Sequence, residues 1–147
     1  MLGLKACGVE NMYQWQSECL SLPGLLEGEK NVVYTAPTSA GKSLVADVLT
    51  IKKAMNERKK VIIVLPYIAI VQEKTRFLKK CLGQLRVEIP RRSNKFPQRW
   101  RPLNIVGFHS GAKNRIGWKE IDIAICTIEK VSLLRLSYVR ASDVDKR

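Results

Sequence analysis

A chain of 147 residues, 46% of them apolar, has about the length of one domain and enough apolar mass for a core, which excludes a disordered linker. Its 26 Lys and Arg against 13 Asp and Glu leave a net charge of +13, a field that draws polyanions, nucleic acid ahead of an anionic membrane surface. No run approaches the ~18 apolar residues that span a bilayer, and residues 1–8 do not resemble a signal peptide, so a soluble protein without a membrane partner is expected.

Residues 11–20 read as an amphipathic helix that Asn11 could cap, with Met12, Trp15, Cys19 and Leu20 on one face. A polar turn over residues 26–30 leads to an apolar run, Val32-Val33-Tyr34, expected to be a strand over residues 31–35. Ala36-Pro37-Thr38-Ser39-Ala40-Gly41-Lys42-Ser43 follows, and then a helical run to Met55 with Leu44, Val45, Val48, Leu49 and Ile51 inward. Strand, glycine-bearing loop and helix in that order are the setting of a phosphate-binding P-loop. Backbone N–H groups of the turn and the helix N-terminus would face phosphate oxygens. Lys42 would add a charge at the β/γ-phosphates, and the Ser43 hydroxyl could ligate Mg²⁺. ATP with Mg²⁺ is therefore the expected cofactor. Ala36 stands where the general pattern has its first Gly.

Val61-Ile62-Ile63-Val64-Leu65, bounded by charges and Pro66, reads as a parallel strand buried on both faces, and residues 68–82 as a second helix. Residues 86–102 hold Arg86, Arg91, Arg92, Lys95, Arg99 and Arg101 against Glu88, with no period, and read as a basic loop that chiefly contributes charge. Trp100 and Phe96 are the side chains there on which a base could stack. Further strands are expected at residues 104–108 and 121–126, a helix over 129–136, and a polar tail over 137–147. Cys7, Cys19, Cys81 and Cys126 form no C-x-x-C pair and His109 is the lone histidine, so zinc is not expected and a reducing compartment fits.

Four segments carry a resemblance. Tyr13-Gln14-Trp15-Gln16-Ser17-Glu18-Cys19-Leu20, the P-loop, Leu65-Pro66-Tyr67-Ile68-Ala69-Ile70-Val71-Gln72-Glu73-Lys74 and Cys126-Thr127-Ile128-Glu129-Lys130 occur in order. Together they resemble the first RecA-like lobe of Ski2-like superfamily 2 DNA helicases, within them the polymerase-theta group. The likeness runs over residues 9–82 and 107–130, leaving 86–102 as an insertion.

The resemblance implies an α/β fold, a largely parallel sheet flanked by helices, as an incomplete RecA-like ATP-binding domain over residues 1–136. It implies that Gln16 reads adenine, and that the loop from Ala36 through Pro37, Thr38, Ser39, Ala40, Gly41 and Lys42 to Ser43 holds ATP, with Lys42 the catalytic residue. Pro66, Tyr67 and Lys74 look like one DNA-contacting motif, and Thr127, Glu129 and Lys130 like another. His109, Ser110 and Gly111 look like the glycine-bearing turn that meets the strand backbone. The implied partner is single-stranded or branched DNA, in repair, in the nucleus. The family's acidic Asp-Glu-x-His motif is not among these residues, nor is a second lobe, so a truncated or mis-spliced product with little hydrolysis of its own is expected. A small-molecule P-loop kinase and a non-catalytic basic nucleic-acid-binding module are the two other classes that fit these residues.

Overall fold

The computed structural model describes residues 10–89, 99–110 and 116–131. In chain order the elements are α1 (Gln14–Leu20), α2 (Lys42–Met55), β1 (Val61–Leu65), α3 (Ile68–Leu82), β2 (Arg86–Ile89), β3 (Arg99–Pro102), β4 (Ile105–Phe108), a 3₁₀ turn (Trp118–Glu120) and β5 (Ile123–Thr127). Residues 128–131 are helical. Helix α3 falls where its apolar period predicts. Pro66 keeps the chain extended before it and Gly83 accepts the turn after it. Gly111, residues 90–98 of the insertion, the helix expected beyond 131 and the tail over 137–147 lie outside the described residues.

The main sheet is parallel, in the order β1-β5-β4, with Leu65 level with Thr127 and Phe108 level with Cys126. Its central strand, β5, is buried at every position, as a strand with neighbours on both edges must be. One face carries Ile63, Ile123, Ile125 and Ile105 against Val71, Leu78, Cys81 and Leu82 of α3 and Ala54 of α2. Full burial of a side chain such as Leu78 contributes about 1.5–3 kcal/mol. Gly107 lets α3 come this close: a β-carbon there would stand 2.7 Å from the Thr75 hydroxyl oxygen. On the opposite face Val106, Ala124 and Cys126 gather with Ile121, Phe108, Trp118 and Val131.

Four expectations need correcting. Residues 31–35 form no strand: Val32 and Tyr34 are partly buried and Val33 is almost wholly exposed. Alternation alone does not make a strand, since a strand needs a partner ladder, and β1 takes its partner from β5. β1 itself is not buried on both faces. Ile62 and Val64 remain 40% and 44% exposed, because the second apolar cluster reaches β4 and β5 but not β1. The insertion is not wholly loop: β2 and β3 pair antiparallel, Val87 opposite Arg101 and Glu88 opposite Trp100. Arg101 ties this hairpin to the main sheet through two bonds to the Asp122 carboxylate at 2.5 and 2.7 Å, and the Asn104 N–H donates to the same group at 2.8 Å.

Helix α1 also starts later than expected, at Gln14 with Tyr13 as N-cap, so Asn11 does not cap it. The Tyr13 N–H donates to Gln16 Oε1 at 2.9 Å, which satisfies one of the donors a helix start leaves open.

Candidate functional site

Helix α2 begins at Lys42, with Gly41 as N-cap in the left-handed region at φ 72°. A side chain at that position would be strained, and its β-carbon would lie 2.6 Å from Gln16 Nε2, so glycine is required twice over. Ser39 is also left-handed, at φ 66°, and Ala40 N–H donates to the Pro37 carbonyl at 3.2 Å. Left-handed residues in a tight turn rotate successive N–H groups toward one centre, the geometry of an anion nest. The first turn of α2 contains no acidic residue, so nothing on that turn neutralises the positive end of its dipole. Lys42 Nζ lies across the loop, donating to the Ala36 and Pro37 carbonyls at 2.7 Å each. Thr38 is exposed on the turn, and Ser43 is exposed one residue beyond Lys42.

Side chains from outside the loop fix it. Gln16 is 1% exposed, and its Nε2 donates to the Gly41 carbonyl at 2.9 Å while its Oε1 accepts from Tyr13. The Tyr34 hydroxyl donates to the Lys42 carbonyl at 2.8 Å, and its ring meets Trp15 at 5.9 Å. Burial, first, pushes the Tyr34 phenol above its ordinary range. Nothing in the sequence marks Tyr34 for this role, since it reads there as one more apolar strand residue. Tyr13 is 61% exposed.

A second link joins α2 to α3. Lys74 Nζ stands 2.5 Å from Asp47 Oδ1 and donates to Oδ2 at 2.6 Å, with both side chains mostly buried. Burial raises the Asp47 carboxyl above its usual value, and the hydrogen bond and charge of Lys74 oppose that rise. Lys74, one of the residues expected to meet DNA, pairs with Asp47 and lies 5.3 Å from the Phe77 ring centroid. Sequence reasoning misses Asp47; an acid amid the apolar positions of α2 is the signal that could have found it.

The remaining expected residues share one edge. Because the main sheet is parallel and in register, β1, β5 and β4 end together, and Pro66, Tyr67, Lys130, His109 and Ser110 follow those ends. Ligands of open parallel sheets bind outside the carboxyl ends of the strands. Pro66 and Tyr67 are exposed there, whereas Thr127 is 3% exposed. Glu129 is held below the usual carboxylate range by its own backbone N–H and then by the Thr127 hydroxyl, as in a helix cap. That pair starts the helical turn over residues 128–131. His109 Nδ1 lies 2.9 Å from the Ser110 carbonyl. Among the described residues no cluster of three or more His, Cys, Asp or Glu could hold a metal, and no helix is long and apolar enough to cross a membrane.

The DEAD/DEAH box helicase family matches residues 14–143, taking in the loop, both flanking helices and all three main strands. The chain belongs to that family. Over 128 residues, 87% of the chain, this helicase domain is 39% identical to DNA polymerase theta of Drosophila melanogaster. It is 36% identical over 139 residues, 94% of the chain, to the helicase POLQ-like of Caenorhabditis elegans, and 38% identical over 77 residues, 52% of the chain, to the ATP-dependent DNA helicase Hel308 of Thermococcus kodakarensis. The helicase domain spans 5% of the first of these proteins, 13% of the second and 7% of the third.

Proposed function

We propose that this helicase domain binds Mg·ATP at the loop from Ala36 to Ser43 and a DNA backbone at the carboxyl edge of its sheet. One observation carries the nucleotide half: a left-handed Gly41 at the N-cap of α2, with the Lys42 ammonium drawn across the same turn. A triphosphate would take Lys42 from the Ala36 and Pro37 carbonyls, exchanging neutral acceptors for charged ones. Ser43 is the residue that would hold Mg²⁺, whose chemistry is to neutralise charge on the β- and γ-oxygens. Gln16 stands beside the loop, as a reader of adenine must; its amide would give up Tyr13 or Gly41 to meet the base.

The DNA half is supported by the net charge of +13 and by the shared edge carrying Pro66, Tyr67, His109, Ser110 and Lys130. The relatives named DNA polymerase theta and DNA helicase support DNA over RNA. Single-stranded or branched DNA as the substrate, and repair in the nucleus as the setting, are what the family resemblance implies. These 147 residues contain no Asp-Glu-x-His, so the domain by itself should turn ATP over slowly. Family membership counts against a metabolite kinase.

Isothermal titration tests the reading. The wild-type chain should give heat with Mg·ATP, and Lys42→Ala should lose it. No heat from the wild type would overturn nucleotide binding. Turnover stimulated by single-stranded DNA and abolished by Lys42→Ala would refute the claim of slow hydrolysis.

A further inference from the structure

Beside the sheet edge, α3 and β4 enclose a groove of about 390 Å³ that the nucleotide loop does not use. Gln72, Arg76 and Lys79 line it from the helix, Gly107 from the strand, and Asn104 and His109 from the residues just before and just after that strand. Positions 72, 76 and 79 share one helix face, one turn after another. A helix face beside a sheet is ordinarily apolar, and α3 keeps its apolar face elsewhere, at Val71, Leu78 and Leu82. Among the described residues neither Arg76 nor Lys79 has a carboxylate partner, and no Asp or Glu lines the groove. β4 is also the outer strand of the main sheet, paired on one side only, so among the described residues no further strand closes this flank.

We propose that this groove binds the phosphodiester backbone of a nucleic-acid strand, extending the track that begins at the carboxyl edge of the sheet. The inference rests on the DNA reading above and adds a path to it: past His109 and down α3. Arg76 and Lys79 lie one turn apart, with about 5–6 Å between β-carbons, a spacing that offers two cations in series to one chain. Gln72 adds an amide donor for phosphate or sugar oxygens, while the Asn104 amide beside it already donates to the Glu120 carbonyl at 2.8 Å. No Phe, Tyr or Trp is among the residues lining the groove, so it engages backbone and does not stack bases.

Fluorescence anisotropy with labelled oligo(dT) across a salt series tests this. Both cations are exposed, so Arg76→Gln with Lys79→Gln should leave the fold intact, which retained Mg·ATP heat would report. Affinity should fall about tenfold and the salt slope by about 1.4, since each phosphate that a single strand no longer has neutralised is worth about 0.7. The control removes the same charge away from the groove, at exposed Lys30→Gln and Lys80→Gln, and should change the slope much less. Equal losses in the two double variants would overturn the groove while leaving DNA binding in place. No binding by the wild-type chain would overturn the DNA reading as well. Competition by polyglutamate as effective as that by unlabelled oligo(dT) would assign the groove to acidic peptide instead, and full competition by inorganic phosphate at similar concentration would reduce it to a single-ion site. Either result would overturn the proposal.

Discussion

β5 and the loop before α2 are held by opposite means. Every residue of β5 is buried, with ladders on both sides and α3 packed over one face. The segment over residues 31–41 has no ladder and an exposed Val33, and is kept in place by side chains: Gln16 on Gly41, Tyr34 and Lys42 on the loop carbonyls. A ladder surrounded by packed side chains tolerates little rearrangement, whereas a loop held by a few polar bonds can exchange them for a ligand. The rigid half positions the carboxyl edge, and the adjustable half is where we propose that nucleotide binds. Asp47 and Lys74 join the two, since one sits on the helix that follows the loop and the other on the helix that covers the sheet.

The contrast breaks most sharply at Leu78, which is fully buried. Leu78→Ala should cost about 3 kcal/mol through lost transfer energy and a cavity, read from the urea midpoint. A cost equal to that of a surface substitution would mean the sheet side is not packed as described. Lys74→Ala tests the link between halves and should cost about 2 kcal/mol at neutral pH, less than a fully enclosed pair, because the Asp47 charge loses its partner.

That second loss should depend on pH. Burial raises the Asp47 carboxyl, so the folded chain holds its proton more tightly than the unfolded chain does. The group therefore favours folding at acid pH and costs stability as pH rises through its folded value. Removing Lys74 raises that value further, so the cost of Lys74→Ala should shrink toward acid pH, where a protonated Asp47 needs no cation. A loss constant with pH would contradict the pairing. The smallest effect is expected on the loop side. Gln16→Ala should cost about 1 kcal/mol, from the unpaired Gly41 carbonyl and Tyr13 N–H, with a larger loss in Mg·ATP affinity. Gln16→Glu keeps the acceptor for Tyr13 and loses the donor to Gly41; if it bound nucleotide as the wild type does, the loop would not depend on this bond.

Much of this is legible in the chain. The run from Val61 to Leu65, the span of α3 and the loop ending in Gly41-Lys42-Ser43 follow from local signals: β-branched runs, Pro66 and Gly83 as punctuation, and a glycine where φ must be positive. The family is legible too, in the order of four motifs. Pairing is not. Residues 31–35 read as a strand and find no partner, whereas β2 lies in a stretch that reads as a basic loop and pairs with β3. Lys74 looks free to meet DNA because its partner lies 27 residues away, on another helix.

The sequence by itself determined the span of α3, the turn that could cradle phosphate, the surplus of positive charge and membership in a helicase family, because backbone preference and net charge are local or additive. Only the tertiary structure decided which strands adjoin, which cations are already spent on carboxylates, and that Arg76 and Lys79 share a groove with β4. Those outcomes depend on contacts between distant positions, which no local preference encodes.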